Sequence, residues 1–220
     1  MTVHRAQQQL HDPGAELLDR ASNLWGSYGR ITLIVVGVLV AAGALGYFGL
    51  RARAKAEDAA ANRLADANLL FWQGEYKRST DVAQLVGEQW PGTPSGKDAH
   101  RLAGDDAFWS GDFKTAITEY RTALNGAKPG LLTDAIKRSL AGALEADKQY
   151  PEAITLYTQL VGKFDRESSA DFLESAARCE SEAGHTAEAI KYLQRLVDEY
   201  GETTRANPAR VRIAELSATH

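Results

Sequence analysis

A turn signature recurs four times in this chain: Gly74-Glu75-Tyr76, Gly111-Asp112-Phe113, Lys148-Gln149-Tyr150 and Gly184-His185-Thr186, with first residues 37, 37 and 36 positions apart. Seven residues before each stands a small residue (Ala67, Gly104, Ala141, Ala177), and five after each stands another (Ser79, Ala116, Ala153, Ala189). Larger apolar residues follow at helical spacing, as in Ala116-Ile117-Tyr120-Ala123-Leu124 and Ala189-Ile190-Leu193-Leu196-Val197. A residue with almost no side chain, once per helix and in register, lets two helix backbones approach closely. Antiparallel helix pairs stacked into a solenoid need that approach.

These residues resemble the tetratricopeptide repeat (TPR) family. Gly111 through Tyr120 is similar, almost residue for residue, to the family's inter-helix turn and second helix. The period exceeds the family's usual length of about 34 and is similar to a long-repeat subgroup of bacterial envelope proteins, in which a Tyr/Trp-Pro-x-Ser/Thr-Pro turn joins repeats. Trp90-Pro91-Gly92-Thr93-Pro94 is similar to that turn, whereas Phe164 to Ser168 and Tyr200 to Thr204 have lost the prolines. Repeat three departs further, with Lys148 in place of glycine and Pro151 at the start of its second helix. An N-terminal apolar segment followed by a short TPR array also resembles the YfgM-like ancillary subunit of the bacterial Sec translocon, over about residues 28–215.

The repeat sets out helix pairs at about 57–73 with 76–88, 96–110 with 113–125, 131–147 with 150–163, and 168–183 with 187–199. A last helix over about 206–217, starting after Asn207-Pro208, is expected to expose Arg210, Arg212 and Glu215 and to bury Val211, Ile213 or Ala214. It would cap a solenoid end that otherwise leaves an apolar face wet. The fold class is therefore all-α: an N-terminal transmembrane helix, then a TPR-type α-solenoid of about four helix pairs with a C-terminal capping helix. Three regions follow: a polar leader with a short amphipathic helix over 1–30, a transmembrane helix over 31–50, and the helical-repeat domain over 51–220.

The membrane assignment rests on Ile31 to Leu50, twenty residues without a charge. At 1.5 Å per residue they match a hydrocarbon core of roughly 30 Å. Trp25, Tyr28 and Arg30 before the run, and Tyr47, Phe48, Arg51, Arg53 and Lys55 at its far end, are interface markers. A signal peptide cleaved near Ala52-Arg53-Ala54 is the competing interpretation; the polar leader, the length of the run and the basic residues between run and site oppose it. In the leader, Asp12-Pro13 suits a helix start, and Leu17, Leu18, Ala21, Leu24 and Trp25 form one apolar stripe that Gly26 is expected to end. That stripe suits a helix at the membrane surface or against a partner, or else a partly ordered tail. Within the span, Gly37 with Ala41 and Ala42 with Gly46 place small residues four apart, a spacing that allows close packing on another membrane helix or simply faces lipid.

Charge divides the chain. Residues 1–55 carry six basic and three acidic side chains, residues 56–220 carry 19 and 26. An acidic main domain excludes a dedicated nucleic-acid binder. One cysteine and scattered histidines exclude a disulfide scaffold and a zinc module. No side chains suggest a nucleophile with its base, so the chain is read as non-enzymatic, with no cofactor, metal or small-molecule substrate. Cys179 is read as a core thiol in preference to a reactive one.

Binding is expected to fall on a repeated aromatic pair. Phe71-Trp72 and Phe108-Trp109 occupy the same place in repeats one and two. The phenylalanines are read as core; Trp72 and Trp109 are either core or anchors for a partner. The TPR resemblance implies a concave face lined by the first helices, which would carry Arg101, Asp105, Arg138, Glu145, Glu174 and Arg178, with Arg101 and Arg138 as partner-binding candidates.

Two functions follow. One is a non-catalytic accessory subunit that stabilises or assembles a multi-subunit inner-membrane complex, photosynthetic or respiratory, meeting other membrane subunits through its span, leader and TPR face, and the lipid bilayer through its span. The other, implied by the resemblance, is a periplasmic chaperone-like ancillary subunit of the Sec translocon. The localisation is the bacterial inner membrane, single-pass. Flanking charge favours a cytoplasmic repeat domain and the resemblance a periplasmic one; the periplasmic side is adopted because long domains cross largely regardless of charge.

Overall fold

Helix, turn, helix is the only regular pattern in the computed structural model, which describes residues 13–218. Among them lie α1 (Pro13–Trp72), α2 (Tyr76–Gln89), α3 (Pro94–Trp109), α4 (Phe113–Leu124), α5 (Leu131–Ala146), α6 (Tyr150–Leu160), α7 (Arg166–Glu182), α8 (Thr186–Glu199) and α9 (Ala206–Ala218), and no strand. The chain divides into two compact units, Met1–Ala54 and Lys55–His220.

In the second unit, the end of α1 with α2, then α3 with α4, α5 with α6, and α7 with α8 form the four pairs. Every first helix ends in the same turn. Gly74, Gly111, Lys148 and Gly184 all have positive φ, between 62 and 84°. In each case the next amide reaches back five residues to a carbonyl: Glu75 to Leu70, Asp112 to Ala107, Gln149 to Leu144, His185 to Glu180, at 2.8–3.0 Å. This left-handed cap satisfies carbonyls that the helix end would orphan and reverses the chain into the second helix. Glycine takes it without strain; Lys148 is the one non-glycine residue with positive φ among those described.

The small residues sit where the helices cross. Ala67, Ala141, Ser79, Ala116, Ala153 and Ala189 are fully buried, and Ala177 almost so. The Ser79 hydroxyl donates to the Ala67 carbonyl at 2.7 Å, joining the two small positions of repeat one directly. At Gly104 an added Cβ would lie 2.6 Å from the Tyr120 ring, so that crossing admits only glycine. Around these contacts the core runs through three clusters: Leu64, Val86 and Leu102 in the first; Tyr120, Leu140, Leu144 and Phe172 in the second; Leu173, Leu193 and Leu196 in the third.

Consecutive repeats are also tied by carboxylates. Glu57, within the last third of α1, accepts from the Ser95 hydroxyl at 2.6 Å and its amide at 3.1 Å. One array length later Glu167 accepts from the Thr204 amide and hydroxyl. Arg166 adds an ion pair to Glu202 and a cation–π contact with Tyr200, 5.0 Å to the ring centroid.

Two expectations are corrected. Gly26 does not end a leader helix: it lies inside α1, because one glycine costs only about 1 kcal/mol in a helix and need not break it. Asp12 lies outside the described residues. The capping helix α9 buries Ala206, Ala209 and Leu216, with Ile213 half-buried, whereas Val211 is 60% exposed and Ala214 is exposed too. Positions 206, 209, 213 and 216 form one helical stripe, and Val211 falls outside it. Pro208 stands in the first turn of α9, where its missing amide costs nothing, so the helix begins before it.

One polar side chain breaks the core pattern. Asp106 is fully buried where the counterparts in repeats three and four are the buried Ala143 and Cys179, whereas the counterpart in repeat one, Leu69, is exposed. Neither carboxyl oxygen has a hydrogen-bond partner, since the nearby Ser79 hydroxyl gives its proton to Ala67. Burial pushes its pKa up to about 6 even with the Ser79 hydroxyl close by to lower it, the Asp105 charge adding to the rise and Arg101 opposing it.

Two outcomes are expected. Lys148→Gly should stabilise the repeat unit by roughly 1 kcal/mol in chemical denaturation by relieving the left-handed strain. Asp106 has a raised folded-state pKa, so its ionisation destabilises the fold progressively as pH rises through about 4 to 6. The stability of Asp106→Ala relative to the parent should therefore rise by about 2 kcal/mol between pH 4 and pH 7; a pH-independent difference would mean the carboxyl is solvated.

Candidate interaction surfaces

Aromatic side chains gather where the first two pairs turn. Trp72 and Trp109, two residues before the left-handed caps, are 81% and 62% exposed. Phe71 meets Tyr76 edge-on at 5.4 Å, Tyr76 stacks with Trp109 at 6.5 Å, and Phe108 meets Phe113 at 5.6 Å. Phe71 and Phe108, expected in the core, are only half-buried, because they pack against rings at the start of the second helices along this edge. Both tryptophans therefore belong to an exposed aromatic edge, and covering either would remove a large apolar area from water.

On the first helices, charges expected to receive a partner are mostly held internally. Arg101 binds Asp98 at 2.7 Å and Asp105 at 2.6 Å, and the Tyr120 hydroxyl donates to Asp105 at 2.7 Å. One repeat on, the Tyr157 hydroxyl donates to Glu145 at 2.7 Å, and Arg178, from the first helix of the next repeat, binds the same carboxylate at 2.5 Å. Glu174 is taken by Arg205 at 2.5 Å. The same device appears twice: a second-helix tyrosine and a first-helix arginine share one carboxylate. Burial raises the pKa of Asp105 despite these contacts. The Asp98 hydrogen bond raises that of Arg101, and burial beside a carboxylate pushes both phenols well above their ordinary range. Arg138 differs: it is exposed, with no ion pair among the described residues. Paired residues at these spacings were visible in the sequence, but the tyrosine partners were not singled out there.

A groove of about 550 Å³ lies between α7 and α9, with Glu174 and Arg178 on one side, Val211 and Arg212 on the other, and Leu193 among its lining residues. Among the described residues no cluster of three or more His, Cys, Asp or Glu could hold a metal ion. Cys179 is fully buried, and burial pushes its thiol up to about 12, so it is protonated at neutral pH and unreactive.

In the first unit, Gly37, Ala41, Ala42 and Gly46 are exposed, and nothing lies within 4 Å of a Cβ added at Gly37 or Gly46. The flanking residues Ile34, Val38, Leu45 and Phe48 are also at least 62% exposed. This helix is long and apolar enough to cross a membrane: its most apolar window has mean hydropathy 2.3 and is unburied.

The contrast between the two arginines is measurable. Arg101→Ala should destabilise the fold by about 1–2 kcal/mol in thermal or chemical melts, by leaving a half-buried Asp105 without its cation. Arg138→Ala should change stability by less than about 0.5 kcal/mol.

Comparison with known proteins agrees with this architecture. Residues 173–203 match the tetratricopeptide repeat family model. No curated protein matches the chain. Among solved structures it is similar to the nearly identical TPR-like repeats assigned to a kinesin light chain of Podosopora anserina, with TM-score 0.57, 17% identity, and coverage of 70% of this chain and 83% of that one. A tetratricopeptide repeat protein from Parabacteroides merdae gives TM-score 0.61 at 12% identity over 74% and 61% of the two chains. Pseudomonas aeruginosa pilF gives 0.51 at 18% identity over 76% and 70%. At these identities the likeness is one of fold: the chain carries a TPR-like helical solenoid, an architecture that generally serves as a non-catalytic scaffold for protein–protein interaction.

Proposed function

We propose that this protein is a membrane-anchored TPR scaffold, an accessory subunit that stabilises or assembles a multi-subunit inner-membrane complex, with its repeat domain on the periplasmic side. The observation that carries this reading is the conjunction, in one chain, of an unburied twenty-residue apolar run and a repeat unit with an exposed aromatic edge. Exposed apolar surface of the first kind suits hydrocarbon as its solvent, and of the second kind suits a protein partner. Trp72 and Trp109 serve as anchors on the repeat unit, Arg138 as an exposed cation on α5, and Gly37, Ala41, Ala42 and Gly46 as the close-packing stripe of the span. A photosynthetic or respiratory assembly is the natural host.

The Sec-associated chaperone reading predicts a face open to many sequences. The internal pairing of Arg101, Arg178 and Glu174 leaves fewer free groups for such a role and favours a defined partner.

The test is retention of partners after extraction from membranes in mild detergent. The chain should resist alkaline carbonate washing, and residues 56–220 alone should be soluble and helical by circular dichroism. Trp72→Ala with Trp109→Ala should weaken the complex by about 2 kcal/mol or more. Gly37→Leu should weaken it separately, without changing the melting of the repeat unit. Undiminished co-purification of both variants would remove these sites from the interface.

A further inference from the structure

The corner between α4 and α5 departs from its counterparts in a way that the aromatic edge does not explain. Where repeats one and four place the clamping carboxylates Glu57 and Glu167, repeat three has Leu131; where repeat two has Ser95, repeat three has Leu132. Both leucines open α5, and they are 68% and 63% exposed. Two adjacent leucines in water, at positions where neighbouring repeats build a polar tie, form an unpartnered apolar surface.

Two clefts flank them. One, of about 560 Å³, takes Pro94, Lys97, Ala123, Lys128, Leu132 and Ile136 into its lining. The other, of about 720 Å³, includes Leu124, Ala127, Thr133, Lys137 and Lys163. The acids in these clefts are engaged: Asp98 by Arg101 at 2.7 Å, Asp134 by Lys137 at 3.9 Å. Lys97, Lys128 and Lys163 have no ion pair among the described residues. Three uncompensated cations thus stand around an apolar pair in a domain whose residues 56–220 carry 26 acidic against 19 basic side chains. The local sign is opposite to that of the domain.

We propose that this corner docks an acidic segment of a partner protein, whose apolar side chains cover Leu131 and Leu132 and whose carboxylates meet Lys97, Lys128 and Lys163. The proposal rests on the scaffold reading and supplies the chemistry of one partner. Charge complementarity selects an acidic occupant. A second copy docked by a two-fold axis through the same corner would set these lysines against one another. The flanking clefts suit side chains of a folded or extended segment better than the flat headgroup layer of a membrane.

The experiment uses the full chain in neutral detergent micelles. The probe is a fluorescein-labelled peptide with leucines at helical spacing flanked by glutamates, and its control carries lysines in place of the glutamates. The acidic peptide should bind by fluorescence anisotropy, weakening as salt is raised, and the lysine peptide should not. Leu131→Asp with Leu132→Asp should weaken binding about tenfold or more with an unchanged melting temperature, and Lys97→Gln with Lys128→Gln and Lys163→Gln should flatten the salt dependence. Absence of binding, equal binding of the two peptides, or indifference to both variants overturns the proposal. So does displacement of the peptide by phosphatidylglycerol in the micelles, which would make the corner a lipid surface. Self-association abolished by the leucine variants would instead make it a contact between copies. If the corner variants leave peptide binding unchanged while Trp72→Ala with Trp109→Ala still releases the native partner, the docking site fails and the scaffold reading stands.

Discussion

Helix pairs can share one core only if their backbones come close where they cross, and here that closeness is set by one small residue on each helix. Ala67 faces Ser79 closely enough for a hydrogen bond from side chain to backbone, and Gly104 accepts the flat ring of Tyr120 where a methyl group would collide. The left-handed cap fixes the other degree of freedom, the angle at which the second helix returns. Crossing and cap stand at a constant separation in sequence, so each pair is built alike and the pairs stack with a constant offset. Where repeat three puts Lys148 in the cap position, the geometry persists at φ 62°, so the crossing contacts outweigh a strain of about 1 kcal/mol.

Such an array is held by nearest-neighbour terms, and these are uneven. The first and last junctions have carboxylate ties through Glu57 and Glu167. At the first junction, His100, Glu119 and Gln84 also connect three helices, with both contacts at 2.8 Å. Against this, the same region contains the unpartnered Asp106. The middle junctions combine the central apolar cluster, which reaches from Ala107 to Cys179, with one ion pair each, Arg121 to Glu152 at 2.7 Å and Arg178 to Glu145 at 2.5 Å. Polar ties therefore occur along the whole array, and the junctions differ in kind: carboxylates on hydroxyls and amides at the ends, arginine–carboxylate pairs over an apolar cluster in the middle.

The period, the small residues and the caps were legible because a repeated structure writes the same constraint several times, and a chance pattern would not agree in four copies. Features that occur once were not legible. The continuation of α1 through Gly26 depends on flanking residues that favour helix and not on any signature. The exposure of Val211 follows from which stripe of α9 meets α8, a matter of tertiary contact. Asp106 has no counterpart carboxylate at Leu69, Ala143 or Cys179, and nothing in the sequence shows that its position is wholly buried. On the candidate surface, the arginines and carboxylates could be assigned to one helix face, but their mutual engagement needs distances. The tryptophans could have been core or surface until their rings were placed.

That engagement decides what sort of recognition this fold supports. A carboxylate shared by a tyrosine and an arginine has little capacity left for a ligand, and breaking it open would expose a half-buried charge without its partner. The paired first-helix charges thus serve mainly to orient the helices. Large apolar side chains that the repeat unit leaves exposed lie elsewhere, at the edge of Trp72 and Trp109 and at the leucines that open α5. In the proposed docking, apolar contacts contribute affinity without demanding one geometry, and the lysines near the leucines select the partner by sign. The first unit exposes isoleucine, valine and leucine side chains along a helix long and apolar enough to cross a membrane, and in the proposed scaffold hydrocarbon covers them as a partner covers the aromatic edge.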